Sequence, residues 1–201
     1  MDILIMVLCA ILGLAGIILL VGIVLYNGLV RAKTRVDETW KQIDVRLQNR
    51  YDLLPDLIQA VEKATTTDKE IQTKIAEVRS AASNAQAVTS DPVHAAEAAQ
   101  AQGLLTGALN GLRVAVEAYP ELRSQEAIQN FMNQNVMIEE KIAASRQIYN
   151  STAREYNEKI AVVPSNIVAG MFKFTAVSYF EAKDEARNDV GADWGGNLVS
   201  R

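Results

Sequence analysis

The spacing of apolar and polar residues divides the chain into two unequal parts. From Ile3 to Leu25 the sequence reads ILIMVLCAILGLAGIILLVGIVL, 23 residues without a charge. As a helix rising 1.5 Å per residue, this run is roughly 35 Å long, enough to cross a hydrocarbon core of about 30 Å with slight tilt. It is longer than the apolar region of a signal peptide, with no basic segment before it and no small-x-small cleavage site after it. A retained transmembrane helix is expected.

Beyond the span the pattern becomes periodic. Apolar residues fall at Val36, Trp40, Ile43, Leu47, Tyr51, Leu54, Ile58 and Val61. Steps of three and four are the period of one helix face, close to a heptad. The stripe crosses Pro55 without losing phase. A non-helical break there would add residues and rotate the stripe away from the core, and a restart at Pro55 would leave Leu54, a poor capping residue, at the N-cap. The pattern therefore predicts one long helix over roughly residues 29–64, kinked at Pro55. The proline removes one hydrogen bond and crowds the Tyr51 carbonyl, costing about 3 kcal/mol or more unless packing compensates. Thr65 to Asp68 are weak helix formers. The stripe then resumes in phase at Ile71, Ile75, Val78 and Ala82, which favours a nearly continuous helix with a local irregularity over a turn capped by Asp68.

The segment SNAQAVTSDP, residues 83–92, reads as a loop, and Asp91-Pro92 as a helix start with an acidic N-cap before a proline at N1. The helix that follows carries Leu105, Leu109, Leu112, Val116 and Tyr119, and Pro120 ends it. Gly103, Gly107 and Gly111 leave one of its faces bare. Close packing against a neighbouring helix is the commoner use of such a face, and a groove for a partner helix the sharper one.

The last long helix spans about Ser124 to Val162, with a seam of Ile128, Phe131, Asn135, Ile138, Ile142, Ser145, Tyr149, Thr152, Tyr156 and Ile160. Tyr149-Asn150 and Tyr156-Asn157 lie seven apart on one face. They are expected to form a buried hydrogen-bonded ladder that fixes register, in preference to a binding site. After Val163-Pro164, SNIVAGMFKFTAVSYF is apolar but too short to span a bilayer. It is expected to dock on the bundle, with an interfacial amphipathic segment as the alternative. The chain thus divides into a short exterior N-terminus (1–2), a transmembrane helix (3–26), a bundle domain (27–182) and a polar, Gly-rich tail (183–201) expected to be disordered, Trp194 included. The fold class is all-α, one N-terminal membrane helix followed by an antiparallel bundle of long helices.

Charge adds sidedness and removes several functions. Arg31, Lys33 and Arg35 follow the span while only Met1 and Asp2 precede it. The positive-inside rule then puts the N-terminus out and the bundle in the cytoplasm, with an extracytoplasmic bundle as the alternative. The net charge of −4, without a basic stripe carrying interleaved aromatics, argues against nucleic acid. The single cysteine, Cys9, lies in the span, so the remainder holds no disulfide. Cys9 and Gly13 form a small-xxx-small pair, a possible helix-packing face that also arises often by chance.

His94 is the only histidine, which excludes paired Glu-x-x-His di-iron ligands and leaves no Cys/His cluster for zinc. No nucleophile elbow, P-loop or dinucleotide-binding glycine motif is present. The paired charges, Asp52 with Asp56, Asp37 with Lys41, and adjacent Glu139 and Glu140, read as solvated helix faces with i,i+4 pairs. No catalytic, cofactor-binding or metal-binding residue is assigned, and no cofactor.

Ordered motifs then show a resemblance: YNGLVRAKTRVDETWKQIDVRLQNRYDLLPDLIQAVEK after the span, AYPELRSQEAIQNFM, EEKIAASRQIYNSTAREYNEKI, VPSNIVAGMFKF and YFEA, together covering about Tyr26 to Ala182. The chain resembles the LemA family of bacterial membrane proteins, which is itself similar to a magnetosome membrane protein. VVPSNI stands where FPSNI is more usual, and the tail is short. The resemblance implies one membrane helix and a bundle of long helices, and carries no enzymatic activity with it. The expectation is a non-enzymatic scaffold or adaptor at the bacterial inner membrane, partnered by the lipid bilayer and by further copies of itself as a homo-oligomer, its protein partners open. The alternative is a sensor or regulator of envelope state that binds a small ligand or peptide between helices, in a pocket lined by Tyr149, Tyr156 and their asparagines. An enzyme using carboxylates ranks third.

Overall fold

The computed structural model describes residues 2–64, 68–88 and 91–181. The expected irregularity at Thr65–Thr67 and the expected disordered tail at 183–201 lie outside the described residues. Helix α1, Asp2–Ala64, is a single helix of 63 residues that runs unbroken through Pro55. At 1.5 Å per residue it is roughly 95 Å long. Its first part, through Val24, exposes nearly every apolar side chain, whereas Val36, Trp40, Ile43, Leu47, Tyr51, Leu54, Ile58 and Val61 are all buried. The apolar stripe therefore keeps its phase across Pro55, as expected.

Continuity beyond the threonines is not found. α1 ends at Ala64, and α2 spans Lys69–Val88. Asp68 caps α2: its carboxylate accepts from the Glu70 N–H at 2.9 Å, and Tyr119 Oη donates to its other oxygen. The Tyr119 hydrogen bond, joined by the Glu70 and Ile71 amides, holds the Asp68 pKa below its ordinary value. α2 folds back alongside α1, where Arg79 meets Glu62 at 2.8 Å. Stripe phase cannot separate these outcomes. Two helices of a hairpin face one core, so a reversal preserves the apolar seam as well as a straight path does.

Asp91 caps a 3₁₀ turn, Pro92–His94, through the Val93 N–H at 2.9 Å. There follow α3 (Ala95–Glu117), the single turn α4 (Pro120–Arg123), α5 (Glu126–Ala161) and α6 (Ser165–Met171). A capping motif closes α6, with the Phe174 N–H donating to Ala169 O at 2.9 Å and Lys173 at φ 56°. Residues 174–181 form neither helix nor strand. The three steps from Thr175 to Ser178 match the seven from Tyr156 to Tyr149, the reach of an extended chain.

α5 runs antiparallel to α1. Arg35 approaches Glu155 at 3.7 Å and Arg50 approaches Glu139 at 2.9 Å, so advancing 15 residues on α1 retreats 16 on α5. The α2–α3 hairpin covers this pair only in the half far from the membrane, where four helices form the bundle. In the near half α1 and α5 are covered by α6 and the extended segment.

The glycine face does not serve close packing within the bundle. A Cβ at Gly103 or Gly107 would meet open space, and one at Gly111 only the Lys74 side chain at 3.7 Å. α3 buries a different face, led by Ala98, Gln102, Leu105, Leu109 and Leu112. Asp37 and Asp52 are on solvated faces as expected, with other partners: Asp37 pairs with Lys33, and Asp52 accepts from Gln48 at 2.7 Å. Glu139 departs from the expectation, pairing with the buried Arg50.

Candidate functional site

The paired Tyr-Asn dipeptides of α5 do form a ladder, and its other rail is main chain. Tyr156 Oη donates to Thr175 O at 2.9 Å. Asn157 beside it donates from Nδ2 to Val177 O at 2.9 Å and accepts the Val177 N–H on Oδ1 at 3.0 Å. One heptad earlier the pattern repeats. Tyr149 Oη donates to Ser178 O at 2.7 Å, with Pro92 O also in reach at 3.2 Å. Asn150 donates to Phe180 O at 3.3 Å and accepts the Phe180 N–H at 2.8 Å. Seven helical residues advance about 10.5 Å and three extended residues about 10 Å, so the two repeats stay in step.

The side chains of Val177 and Phe180 turn inward and are buried. Phe180 lies against Trp40 at 5.9 Å between ring centroids, Trp40 meets the Tyr149 ring edge-on at 5.2 Å, and the Arg146 guanidinium sits 5.0 Å above the Phe180 ring. Burial raises the pKa of both Tyr149 and Tyr156, which keeps their hydroxyls protonated as donors. The arrangement grips an extended backbone and offers no group placed to break a bond. The space that a ligand pocket lined by these four residues would need is occupied by residues 175–180.

A second constellation was not visible as such in the sequence. Arg50, flanking the α1 seam, is only 2% exposed. Its Nη2 donates to Glu139 Oε1 of α5 at 2.9 Å and to Thr106 Oγ1 of α3 at 3.0 Å. Burial lowers the Arg50 pKa, and Glu139 opposes the shift. Gln102 Nε2 donates to Tyr51 Oη one layer away. Arg50 Nε, Gln102 Oε1 and Asn135 Oδ1 are buried without a hydrogen-bond partner among the described residues. Asn135 and Glu139 also line a cleft of about 350 Å³ between α3 and α5. The available signal was positional: an arginine next to an apolar seam, opposite the one glutamate of Glu139-Glu140 that turns inward. Glu140 itself is exposed.

His94 is exposed, 3.4 Å from Glu97, and Cys9 is exposed on the membrane segment. Among the described residues no group of three or more His, Cys, Asp or Glu side chains is placed to hold a metal ion.

Comparison with known proteins agrees with this architecture. Residues 39–193 match the model of the LemA family. Protein LemA of Metamycoplasma hominis is 27% identical over 164 residues, covering 82% of this chain and 72% of the relative. Magnetosome protein MamQ 2 of Paramagnetospirillum magneticum is 35% identical over 83 residues, 41% of this chain, and Magnetosome protein MamQ of Magnetospirillum gryphiswaldense 34% over a stretch of the same length. In both MamQ proteins the match spans only 30% of the relative's length. With its family match covering most of the sequence and one long apolar N-terminal helix leading into a helical bundle, this chain belongs to the LemA family.

Proposed function

We propose that the protein is a non-enzymatic scaffold or adaptor that holds long helical surfaces at a fixed distance from the bacterial inner membrane and self-associates there. One observation carries this reading: α1 is both the apolar anchor and the first helix of the bundle, with no linker between the two roles. A continuous helix transmits height and tilt from the lipid to the bundle, whereas a flexible linker would let the bundle swing. The bundle's buried polar groups serve packing and the ladder, in keeping with a role in holding rather than converting. Similarity to proteins named for the magnetosome is in keeping with a place in a membrane assembly. The basic residues after the span support a cytoplasmic bundle.

Sedimentation of the full chain in gentle detergent is expected to give a defined oligomer. A monomer there, and also by crosslinking in native membranes, refutes self-association. Protease added outside intact spheroplasts is expected to leave the bundle uncut, and digestion reverses the sidedness. The alternative reading, a sensor with a ligand or peptide between helices, loses the pocket it was built on, because residues 175–180 already occupy the Tyr149 and Tyr156 ladder.

A further inference from the structure

α6 has two apolar faces where a docked surface helix needs one. Val168 and Ala169 are buried against Leu29 of α1, with Leu25 and Ile160 beside them. The opposite side presents Val163, Ile167, Met171 and Phe172, which are 76, 61, 73 and 56% exposed. Neither α2 nor α3 reaches this end of the fold. What lies beside this exposed face is the membrane segment. α6 and Ile18 to Tyr26 of α1 together wall an almost wholly apolar cleft of about 480 Å³. Tyr26, at the end of the apolar run, packs at a tilt against Phe172 at 4.6 Å and edge-on against Phe174 at 5.9 Å between ring centroids.

We infer that α6 is a second membrane element, a short helix inserted into one leaflet, with lipid acyl chains covering its outer face and filling the cleft it makes with α1. The inference rests on reading residues 3–25 as a membrane span, because the two surfaces are continuous. Ile18 to Leu25 covers roughly 10 to 12 Å of helix, about the outer third of a 30 Å hydrocarbon core. An amphipathic helix lying in the interface buries its apolar face to a depth of about 5–10 Å. The charges around α6 fit the same level. Lys159 precedes it, Lys173 follows it, and Arg31 lies one and a half turns past Tyr26; none of the three makes an ion pair among the described residues. Long basic side chains at the edge of a buried apolar face reach the headgroups while their stems stay in the acyl region. A single membrane helix leaves the bundle free to spin about the normal. A second inserted element on one side of it fixes which face of the bundle meets the lipid.

The test uses the full chain with Cys9→Ser, reconstituted in phosphatidylcholine vesicles. Single cysteines at Ile167, at Leu12 within the span and at Leu104 on the exposed face of α3 each carry an environment-sensitive fluorophore. At Ile167 the emission is expected to be blue-shifted relative to Leu104. It is expected to be quenched by nitroxides near the headgroup end of the acyl chain more than by nitroxides near the terminal methyl. Leu12 is expected to respond more to the deep nitroxides, and Leu104 to none. Water-like emission at Ile167 with a lipid-like response at Leu12 overturns the insertion of α6 and leaves the span standing. A water-like response at both overturns the span. A probe at Ile167 that is exposed in vesicles yet shielded in native membranes assigns the face to a protein partner and also overturns the inference.

Discussion

Asn157→Ala isolates the hold of α5 on the extended segment. The substitution removes two hydrogen bonds to one residue, Nδ2 to Val177 O and Val177 N–H to Oδ1, at 2.9 and 3.0 Å. A net contribution of about 0.5–1.5 kcal/mol for each bond gives roughly 1–3 kcal/mol. The loss is local, because residues 174–181 can lift away from α1 and α5 while the α2–α3 hairpin, in the other half of the fold, keeps its contacts. Hydrogen exchange with mass spectrometry on the full chain in detergent is the assay. Since 1.4 kcal/mol is a factor of ten, the Val177 amide should exchange roughly five- to a hundredfold faster in the variant. Amides of α2 from Ile75 to Val78 should not change. Asn157→Asp keeps an acceptor for the Val177 N–H but turns a second oxygen toward the Val177 carbonyl, so it should restore little of the protection. Unchanged exchange at Val177 would refute the ladder as the clamp. Equal acceleration in α2 would refute the independence of the two halves.

Three further outcomes follow from the same geometry. Glu139→Ala leaves the buried Arg50 charge without its partner and should cost about 2–4 kcal/mol, whereas Arg50→Met, an apolar replacement of similar length, should cost much less or nothing; thermal unfolding followed by circular dichroism compares them. Gly107→Ala adds a Cβ into open space on an exposed helix face and should stabilise by about 0.8–1 kcal/mol, read as a raised melting temperature; a lowered one would mean that another surface covers that face. Ionisation supplies the third. The pKa values of Tyr149 and Tyr156 are raised by burial, so their contribution is complete below the unfolded tyrosine value near pH 10 and is lost as pH climbs through the higher folded values. The segment 175–180 should therefore stay docked at neutral pH and detach in strong alkali, so that a fluorescent probe on an exposed residue of the segment changes in step with tyrosinate absorbance.

Most seam residues of the four long helices could be read in advance because each faces a core shared with the others, and burial of one face imposes its period on the sequence. Ala85 was missed, since 83–92 reads as a loop whereas α2 runs to Val88 and buries it. The same logic carried α1 through Pro55. It failed at Thr65–Asp68, where a hairpin and a straight helix leave one phase and only the cap distinguishes them. The Asp68 carboxylate, accepting from Glu70 and from Tyr119, was the decisive residue. Arg50 was hidden for a different reason: a buried arginine is permitted by two partners 56 and 89 residues away, and nothing local announces them. The glycines of α3 raised the opposite difficulty. Their spacing is plain, but spacing does not say whether a neighbour is present, and for Gly103 and Gly107 none is within 4 Å.

The changing polarity of the α5 seam has a physical cause that joins these points. From Ile128 to Ile142 α5 faces other helices, whose backbone bonds are closed within themselves, and its seam is mostly apolar. From Ser145 onward the buried positions become Ser145, Tyr149, Thr152, Ala153 and Tyr156, polar but for one alanine. In this half α2 and α3 are absent and the covering element is extended. An extended segment brings unpaired N–H and C=O groups to the surface it covers, and these need partners when buried. Hydroxyls and amides at heptad spacing supply those partners, while Val177 and Phe180 supply the apolar contact. An apolar seam through Tyr149 and Tyr156 would demand a third helix there, as Ile160 has in α6. A polar one accepts a single extended segment, and the chain that provides it starts from α6, beside the membrane span.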